Sequence, residues 1–248
     1  MTLECTNLTK SYGVVVALDK VSVRFPSKGV VAIVGRNGAG KTTLIDSLTG
    51  VVKLDQGEWF LNGRRITDLS IKEVVEVGIV RSFQGIRLLQ DETVLSNLCL
   101  AVPSVMSDKL FPALIPRWTR REDTAVFSQA ISILELAGFK DKADTVVEQL
   151  SYGDQKLVSL LVASATGAQI LLLDEPLAGT DVESARLLLR FASRLRSEGK
   201  LLIFVEHDLA AVRQLADTVI VMDQGKVLAV GATEEVLSQP SVVEAYLG

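Results

Sequence analysis

Gly35-Arg36-Asn37-Gly38-Ala39-Gly40-Lys41-Thr42 is the most informative segment of the sequence, and it follows an apolar run at residues 30–34. It matches the pattern G-x-x-x-x-G-K-[ST] between a predicted strand and a predicted helix, which is the setting of a phosphate-binding loop. Glycines let such a loop curl until its backbone N–H groups surround a phosphate at the helix N-terminus. Lys41 then supplies a positive charge, and the Thr42 hydroxyl reaches Mg²⁺. The residues predicted to bind nucleotide here are Gly35, Arg36, Asn37, Gly38, Ala39, Gly40, Lys41, Thr42 and Thr43.

Two adjacent acids, Asp174 and Glu175, follow another apolar run at residues 170–173. A phosphate-binding loop needs a second group on the metal side, and Asp174 is placed to hold the Mg²⁺ shell. Glu175 beside it can accept a proton from an attacking water. Two acids after a strand are by themselves more typical of a polar strand exit. Together with the loop, they predict a site that hydrolyses a nucleoside triphosphate.

The fold class follows from segments rich in Val, Ile and Leu that alternate with longer helical patterns. This alternation is typical of an α/β protein with a largely parallel, buried sheet. The predicted central strands are residues 30–34, 79–83, 170–173, 201–205 and 219–221. Residues 3–8 and 15–25 are predicted as antiparallel strands, and residues 226–230 as a late edge strand. We therefore expect a P-loop NTPase core with an antiparallel β subdomain.

Helix starts are predicted where Ser or Thr is followed three residues later by Glu, the pattern of a capping box. The pattern occurs three times, at Ser70 with Glu73, Thr180 with Glu183, and Ser241 with Glu244.

An α-helical subdomain is predicted at residues 86–150, because strand-like runs stop there and helical patterns take over. It is inserted into one ATP-binding domain, residues 1–248, whose core and β subdomain comprise residues 1–85 and 151–248. Pro103, Pro112 and Pro116 make residues 103–123 a long connection rather than a helix. Its basic run could face lipid headgroups, a partner or only solvent; the run contains Arg117, Trp118, Arg120 and Arg121.

Composition excludes several other classes of protein. The chain of 248 residues has a net charge of −4, which gives no general electrostatic reason to bind nucleic acid. Cys5 and Cys99 are too far apart for a CxxC site and are predicted as buried thiols, and His207 is the single histidine. The longest uncharged stretch, residues 157–173, is too polar for a membrane span and predicts a buried helix and strand. With no apolar signal-peptide core at residues 1–10, we expect a soluble cytoplasmic protein.

Beyond these motifs, the chain resembles the ATP-binding subunits of ABC transporters over essentially its whole length. Leu150-Ser151-Tyr152-Gly153-Asp154-Gln155 resembles the signature sequence of that family. The commoner form has Gly in place of Tyr152 and Gln in place of Asp154. Ser151 and Gly153 are kept at a predicted helix start, where a hydroxyl, open backbone and the positive helix end favour a phosphate.

Other elements of this family occur in the expected order. The resemblance implies that Tyr12 stacks on adenine and that Gln84, after the strand at 79–83, touches Mg²⁺ or water. It implies that Asp181 belongs to a loop that crosses to the opposite subunit. His207 resembles the switch histidine that contacts the γ-phosphate and holds the attacking water and Glu175 in register. The predicted catalytic residues are therefore Glu175, His207 and Gln84, and the predicted Mg²⁺ ligands are Thr42, Gln84 and Asp174.

The resemblance also implies a head-to-tail dimer with ATP between the loop of one subunit and the signature of the other. Because the chain has one loop and one signature, it must pair with itself or with a close relative. Its closing on ATP would drive membrane permease subunits, served indirectly by a substrate-binding protein, with no nucleic-acid partner. Such a protein is expected at the cytoplasmic face of the membrane, bound peripherally.

The subfamily is indicated by four segments, which are Ser82 to Leu89, the proline-broken insertion, the signature and the last five residues. Together they resemble ATPases of importers for branched-chain amino acids and their amide or urea relatives. The lipopolysaccharide-export ATPase has a similar ending and remains an alternative, as does a soluble ABC-type ATPase of iron–sulfur assembly. A nucleotide kinase would share the phosphate-binding loop but has no use for the signature.

Overall fold

A computed structural model describes residues 1–82, 88–103 and 122–247. The chain divides into two compact units. The first comprises Met1–Gln84, Gln169–Pro176 and Ala192–Gly248, and the second comprises Gly85–Ala168 and Leu177–Phe191.

The regular elements are numbered here in chain order. The strands are β1 Leu3–Tyr12, β2 Val15–Arg24, β3 Gly29–Val34, β4 Gln56–Leu61, β5 Arg64–Arg65, β6 Ile79–Ser82, β7 Ile170–Asp174, β8 Leu201–Glu206, β9 Thr218–Asp223 and β10 Lys226–Ala232. The α-helices are α1 Lys41–Leu48, α2 Ile71–Glu76, α3 Val94–Ala101, α4 Glu122–Ala137, α5 Tyr152–Ala165, α6 Val182–Ser197, α7 Leu209–Leu215, α8 Thr233–Leu237 and α9 Pro240–Leu247.

The larger sheet of the first unit has six strands in the order β10-β9-β3-β8-β7-β6. Strands β9 to β6 are parallel, and β10 is antiparallel at the edge. The strands in the middle read as continuous apolar runs because every residue of β3 and β8 is buried. The parallel strands and the antiparallel edge strand predicted from the sequence are confirmed, although Phe83, the last residue of one predicted strand, lies outside the described residues.

A smaller antiparallel sheet has the order β2-β1-β4-β5. Its first two strands were predicted, but β4 and β5 were missed because β4 begins with Gln, Gly and Glu and has a short apolar pattern. Asn62-Gly63 between them forms a two-residue hairpin turn with φ of 52° and 76°. Asn-Gly is a strong sequence signal for such a turn and could have predicted this hairpin. Within β4, Trp59 is fully buried and its indole N–H donates to the Ser47 hydroxyl at 3.0 Å.

The second unit is helical in its described residues and contains α3, α4, α5 and the first half of α6. A small apolar cluster joins the first three of these helices through Val102, Val126 and Ala165, with Cys99 and Ile133 packed against it. Because α5 packs on α3 and α4, the second unit continues past residue 150, which is the predicted end of the helical subdomain. The predicted domain assignment, with an ATP-binding core and a helical subdomain that carries the signature, stays a prediction. The basic run at 117–121 lies outside the described residues.

The predicted helix starts have mixed outcomes. Ser70 and Glu73 form the predicted capping box at α2. The other two caps are wrong: α6 begins at Val182 and is capped by Asp181 rather than Thr180, and α9 already begins at Pro240. Asp181 outcompetes Thr180 because its carboxylate reaches the N–H groups of Glu183 and Ser184, both at 3.0 Å.

The uncharged stretch at residues 157–173 forms the end of α5 and most of β7, as predicted. No helix of the described ranges has the length and apolar character needed to cross a membrane. Cys5 is buried, and burial raises the pKa of its thiol to about 12. Cys99 is only half-buried, against expectation, because the side chains that pack around it in the second unit cover one side of α3.

Candidate functional site

The predicted catalytic segments meet at one edge of the six-stranded sheet. In the register of the parallel strands, Val34 pairs with Glu206 and Asp174 pairs with Val205, so β3, β7 and β8 end almost level. The phosphate-binding loop, Glu175 and His207 follow these three ends directly. Ligands of open parallel sheets bind at the carboxyl ends of the strands, so this edge is the candidate site.

The glycines of the phosphate-binding loop have different physical roles. Gly40 has φ of 97°, and a Cβ atom there would lie 2.3 Å from the Ala17 carbonyl oxygen. A Cβ on Gly35 would lie 2.2 Å from the Met222 carbonyl oxygen. Gly38 has φ of 82° but faces open space, with nothing within 4 Å of such a Cβ. Gly35 and Gly40 therefore let the loop pack closely on its neighbours, whereas Gly38 leaves its outer side open.

Helix α1 starts inside this loop with its N–H groups uncapped by any side chain. Its N-cap is Gly40, in a left-handed conformation with no side-chain hydrogen bond. The first N–H groups of a helix have no partner within the helix, and the helix dipole favours an anion beside them. The N-terminus of α1 is therefore suited to a phosphate group.

Lys41, the first residue of α1, is buried against the phosphate-binding loop. Its ammonium donates to the carbonyl oxygens of Gly35 at 2.7 Å and Arg36 at 3.0 Å. Across the part of the chain that the structure describes, this ammonium forms no ion pair within 4 Å. Burial lowers the pKa of Lys41, and the charge of Glu175 partly offsets that effect. A buried cation held only by carbonyl groups fits an anionic ligand such as a phosphate.

The remaining residues of the predicted loop lie where a ligand could reach them. Arg36, Asn37 and Thr42 are exposed, Thr43 is half-buried, and Ala39 is buried and donates its N–H to the Arg36 carbonyl. Thr42 is the second residue of α1, beside Lys41.

Asp174, the predicted Mg²⁺ ligand, is engaged by an arginine that the sequence reading missed. The guanidinium of Arg81, on β6, donates twice to Oδ2 of Asp174, at 2.9 Å from Nε and 2.7 Å from Nη2. Its third donor, Nη1, goes to Asp46 on α1. Burial raises the pKa of Asp174, and the charge of Arg81 opposes that shift. The sequence showed only an arginine in a strand, with no indication of its partners.

Glu175 and His207, predicted as catalytic residues, lie side by side. Nδ1 of His207 is 3.4 Å from Oε1 of Glu175, and the His207 side chain is largely exposed. Glu175 has φ of 44°, a left-handed conformation that non-glycine residues rarely adopt. Its N–H donates to the Val205 carbonyl at 3.0 Å, which holds this backbone next to the end of β8. Strained backbone of this kind is concentrated at functional sites.

The signature segment starts helix α5 in the second unit. Ser151 is the N-cap, and its Oγ accepts from the Asp154 N–H at 3.1 Å. A hydroxyl that accepts in a cap still has its own proton to donate, so Ser151 can also serve an anion. Tyr152, which replaces the commoner Gly, is half exposed, and the Lys156 ammonium lies 5.0 Å from its ring centroid.

Gly153 and Asp154 of the signature pack on the first turn of α6 within the same unit. A Cβ on Gly153 would lie 2.6 Å from Cβ and 2.7 Å from Oγ of Ser184. The Ser184 hydroxyl contacts Oδ1 of Asp154 at 3.2 Å and Oδ2 of Asp181 at 2.7 Å. Lys142 forms an ion pair with the other oxygen of Asp154. The negative charge that Asp154 brings to a helix start is thus compensated by Lys142, a partner that the sequence did not indicate.

Asp181, predicted to belong to the loop that reaches a second subunit, has a well-defined role within its own chain. It caps α6, and the N–H and hydroxyl of Ser184 hold the pKa of Asp181 below its usual range. Tyr12, predicted to stack on adenine, lies exposed at the end of β1, with the Lys10 ammonium 5.4 Å from its ring centroid. Gln84 lies outside the described residues, so its catalytic and metal-binding roles stay predictions.

Comparison with known proteins relates this geometry to a family. A family model described as "ABC transporter" matches residues 18–178. The chain is 36% identical to a probable branched-chain amino acid transport ATP-binding protein LivG of Archaeoglobus fulgidus, over 99% of this chain and 95% of that protein. It is 33% identical to the high-affinity branched-chain amino acid transport ATP-binding protein LivG of Salmonella typhimurium, over 99% and 97% of the two chains.

A solved structure gives the same relationship in three dimensions. The crystal structure of an ATP-binding cassette of an ABC transporter in its ADP conformation superposes with a TM-score of 0.86 and 32% sequence identity. The match covers 100% of this chain and 99% of the other.

Proposed function

The chain belongs to the ABC transporter family, and on this premise we propose that it is the ATP-hydrolysing subunit of an importer. Its cargo class is branched-chain amino acids or related small amino acids and amides, which cross the membrane through a separate permease. The observation that carries this proposal is the sheet edge at which three neighbouring strands end. The loop that leads to Lys41 follows β3, Asp174 ends β7 and is followed by Glu175, and His207 follows β8.

Binding of ATP would use the phosphate-binding loop described above. The uncapped N–H groups at the start of α1 and the buried ammonium of Lys41 would hold the phosphates. Tyr12, exposed at the end of β1, would stack on the adenine ring. Lys41 would then exchange its weak carbonyl partners for charged phosphate oxygens, which form stronger hydrogen bonds with an ammonium.

The residues present also fit Mg²⁺, which prefers oxygen ligands and usually keeps several waters. The Thr42 hydroxyl and the Asp174 carboxylate would hold the ion, with the side chain of Gln84 as a third group. When bound, Mg²⁺ would neutralise negative charge on the phosphates.

Hydrolysis would depend on Glu175, which would accept the proton of the attacking water at a carboxylate oxygen. His207 would hold that carboxylate and the water in place, since its Nδ1 lies 3.4 Å from Oε1 of Glu175. The rigid end of β8, which fixes the backbone of Glu175, would keep both groups aimed at the γ-phosphate.

A second ATP-binding subunit would complete each site. Ser151 and Gly153 of the opposite subunit would contact the γ-phosphate, and Asp181 would lie at the boundary between the subunits. Binding of ATP would favour the closed dimer, and hydrolysis of ATP would favour the open dimer. This shift in population could be transmitted to a permease as a conformational change. The subunit would act peripherally at the cytoplasmic face, with a substrate-binding protein as an indirect partner.

Among the transport substrates considered, the names of the relatives favour branched-chain amino acids. The relatives quoted above, which match nearly the whole chain, are branched-chain amino acid transport ATP-binding proteins. Neither lipopolysaccharide export nor iron–sulfur assembly has comparable support.

The chemistry is tested by Glu175→Gln, which keeps the shape of the side chain but removes its basicity. We expect ATP binding to persist while turnover falls by about 10²- to 10⁴-fold, the usual effect of losing a general base. Steady-state phosphate release and binding of a fluorescent ATP analogue measure the two effects. Glu235→Gln, at an exposed glutamate of α8, is the matched control and should hydrolyse ATP normally. Near wild-type hydrolysis in Glu175→Gln would contradict the assignment.

The transport role is tested by the partners that the tagged protein retains. A multi-spanning membrane protein should copurify in mild detergent, and cells that carry Glu175→Gln in place of the wild-type gene should lose uptake of labelled leucine. A native partner set that contains only nucleic acid or ribosomes would refute this role.

A further inference from the structure

Arg81 lies at the centre of a buried cluster of charges beside the candidate site. Its side chain is 8% exposed, and its donors are directed to two carboxylates on different elements. One is Asp174 at the end of β7, and the other is Asp46 on α1, the helix that begins with Lys41. Arg81 thus connects the phosphate-binding helix to the strand that carries the predicted Mg²⁺ ligand.

The geometry of this contact is asymmetric at Asp174. Both Nε and Nη2 of Arg81 donate to the same oxygen of Asp174, Oδ2. Asp46 and Asp174 together bring two negative charges against the one positive charge of Arg81. A carboxylate held in this way is a suitable ligand for a cation such as Mg²⁺.

Stability alone is a weak reason for such an arrangement. Taking charges out of water is costly, and buried ion pairs often contribute no more to stability than apolar side chains of similar size. A role in orienting a metal ligand explains it better, because groups that hydrogen-bond to a ligating carboxylate fix its orientation.

We propose that Arg81 is a positioning residue for Mg²⁺, an inference that rests on the proposed Mg²⁺ site at Asp174. Arg81 occupies Oδ2 and turns Oδ1 toward the metal. Asp46 anchors the guanidinium to α1, so that the carboxylate of Asp174 and the hydroxyl of Thr42 keep a constant separation. The three residues Arg81, Asp46 and Asp174 act as one brace.

The test measures metal binding rather than turnover. A fluorescent ADP analogue is bound to the protein in EDTA, and Mg²⁺ is then titrated into the complex. Arg81→Lys keeps the charge but replaces the planar fork by a single ammonium. We expect the Mg²⁺ concentration for half-maximal response to rise about 10- to 100-fold, the usual effect of losing a group that orients a ligand. The affinity for the analogue in EDTA should be unchanged, because the phosphate-binding loop is intact.

Arg65 offers a matched control within the first unit. It also donates to two acids, Glu58 at 2.6 Å and Asp68 at 3.0 Å, but its side chain is 49% exposed and belongs to β5 of the smaller sheet. Arg65→Lys should leave the Mg²⁺ response unchanged.

The remaining outcomes separate this inference from the proposed function. A folded Arg81→Lys protein with the wild-type Mg²⁺ response overturns the inference, as does an equal loss of affinity with and without Mg²⁺. If Arg81→Lys does not fold, Asp46→Asn is the variant to test. It weakens only the contact between Asp46 and Arg81, so it should raise the required Mg²⁺ concentration to a smaller extent. A wild-type protein whose nucleotide binding ignores Mg²⁺, or an Asp174→Asn protein with a normal Mg²⁺ response, would instead contradict the Mg²⁺ site itself.

Discussion

At the scale of single residues, two glycines of the phosphate-binding loop are required for different reasons. Both Gly38 and Gly40 have positive φ, which disfavours any side chain. Only Gly40 also lies against backbone, where its Cβ would be 2.3 Å from the Ala17 carbonyl oxygen. Glycine at position 40, a fixed position of the motif, therefore meets a packing constraint, whereas glycine at position 38, a variable position, borders open space.

Replacement by alanine distinguishes the two positions. Gly38→Ala should lower the free energy of unfolding by about 1 kcal/mol through backbone strain alone, because nothing lies within 4 Å of its new methyl group. Gly40→Ala should lower it by about 2 kcal/mol or more, because a steric clash is added to the strain. Urea denaturation measures both variants, and equal losses of stability would contradict this account.

At the scale of elements, the starts of α5 and α6 form one packed unit. Ser151 caps α5, Asp181 caps α6, and the Ser184 hydroxyl bridges Asp181 and Asp154. A side chain at position 153 would not fit, because Ser184 fills the space beside Gly153. The signature glycine thus has a packing role in its own subunit as well as its proposed role toward the phosphate of the partner.

A double-mutant cycle tests this packing. Gly153→Ala should lower the free energy of unfolding by about 1–3 kcal/mol through overpacking. Adding Ser184→Gly should recover part of that loss, because it removes the Cβ atom that clashes, although glycine in a helix costs about 1 kcal/mol. Adding Ser184→Ala should recover less, since it removes the Oγ atom at 2.7 Å but leaves the Cβ atom at 2.6 Å in place. Additive effects in the first pair, measured by urea denaturation, would show that the two residues do not touch.

At the scale of the whole molecule, the number of motifs in the chain bears on how it assembles. It has one phosphate-binding loop and one signature segment, as the sequence already indicated. In the proposed site, each ATP needs a loop from one subunit and a signature from the other. A single set of motifs therefore favours pairing of two copies or of two close relatives.

Blocked hydrolysis should make this pairing visible. Glu175→Gln with ATP should form a dimer, because the bound nucleotide stays intact between the subunits, whereas the same variant with ADP should remain monomeric. Size-exclusion chromatography with light scattering distinguishes these states. A monomer at saturating ATP, both alone and with a close relative added, would count against the head-to-tail arrangement.

Features that depend on short stretches of chain could be predicted from the amino-acid sequence. The loop from Gly35 to Thr42 was readable because its glycines, lysine and threonine perform their roles within eight consecutive residues. Continuous apolar runs predicted the buried parallel strands, and the parallel order places the residues after β3, β7 and β8 at one edge. These patterns report which residues are buried and where strands end, and both are local properties.

Contacts between side chains that are distant in sequence could not be predicted and are seen in the three-dimensional structure. Arg81 and Asp174 are 93 residues apart, and Ser184 and Asp154 are 30 apart. No side chain fits at Gly40, because the carbonyl group of Ala17, in a separate strand, lies against it. A periodic pattern shows that a face is covered but not what covers it, because the partner depends on how strands and helices pack after the chain has folded. The brace around Arg81 and the packing of Ser184 on the signature therefore became visible only in three dimensions.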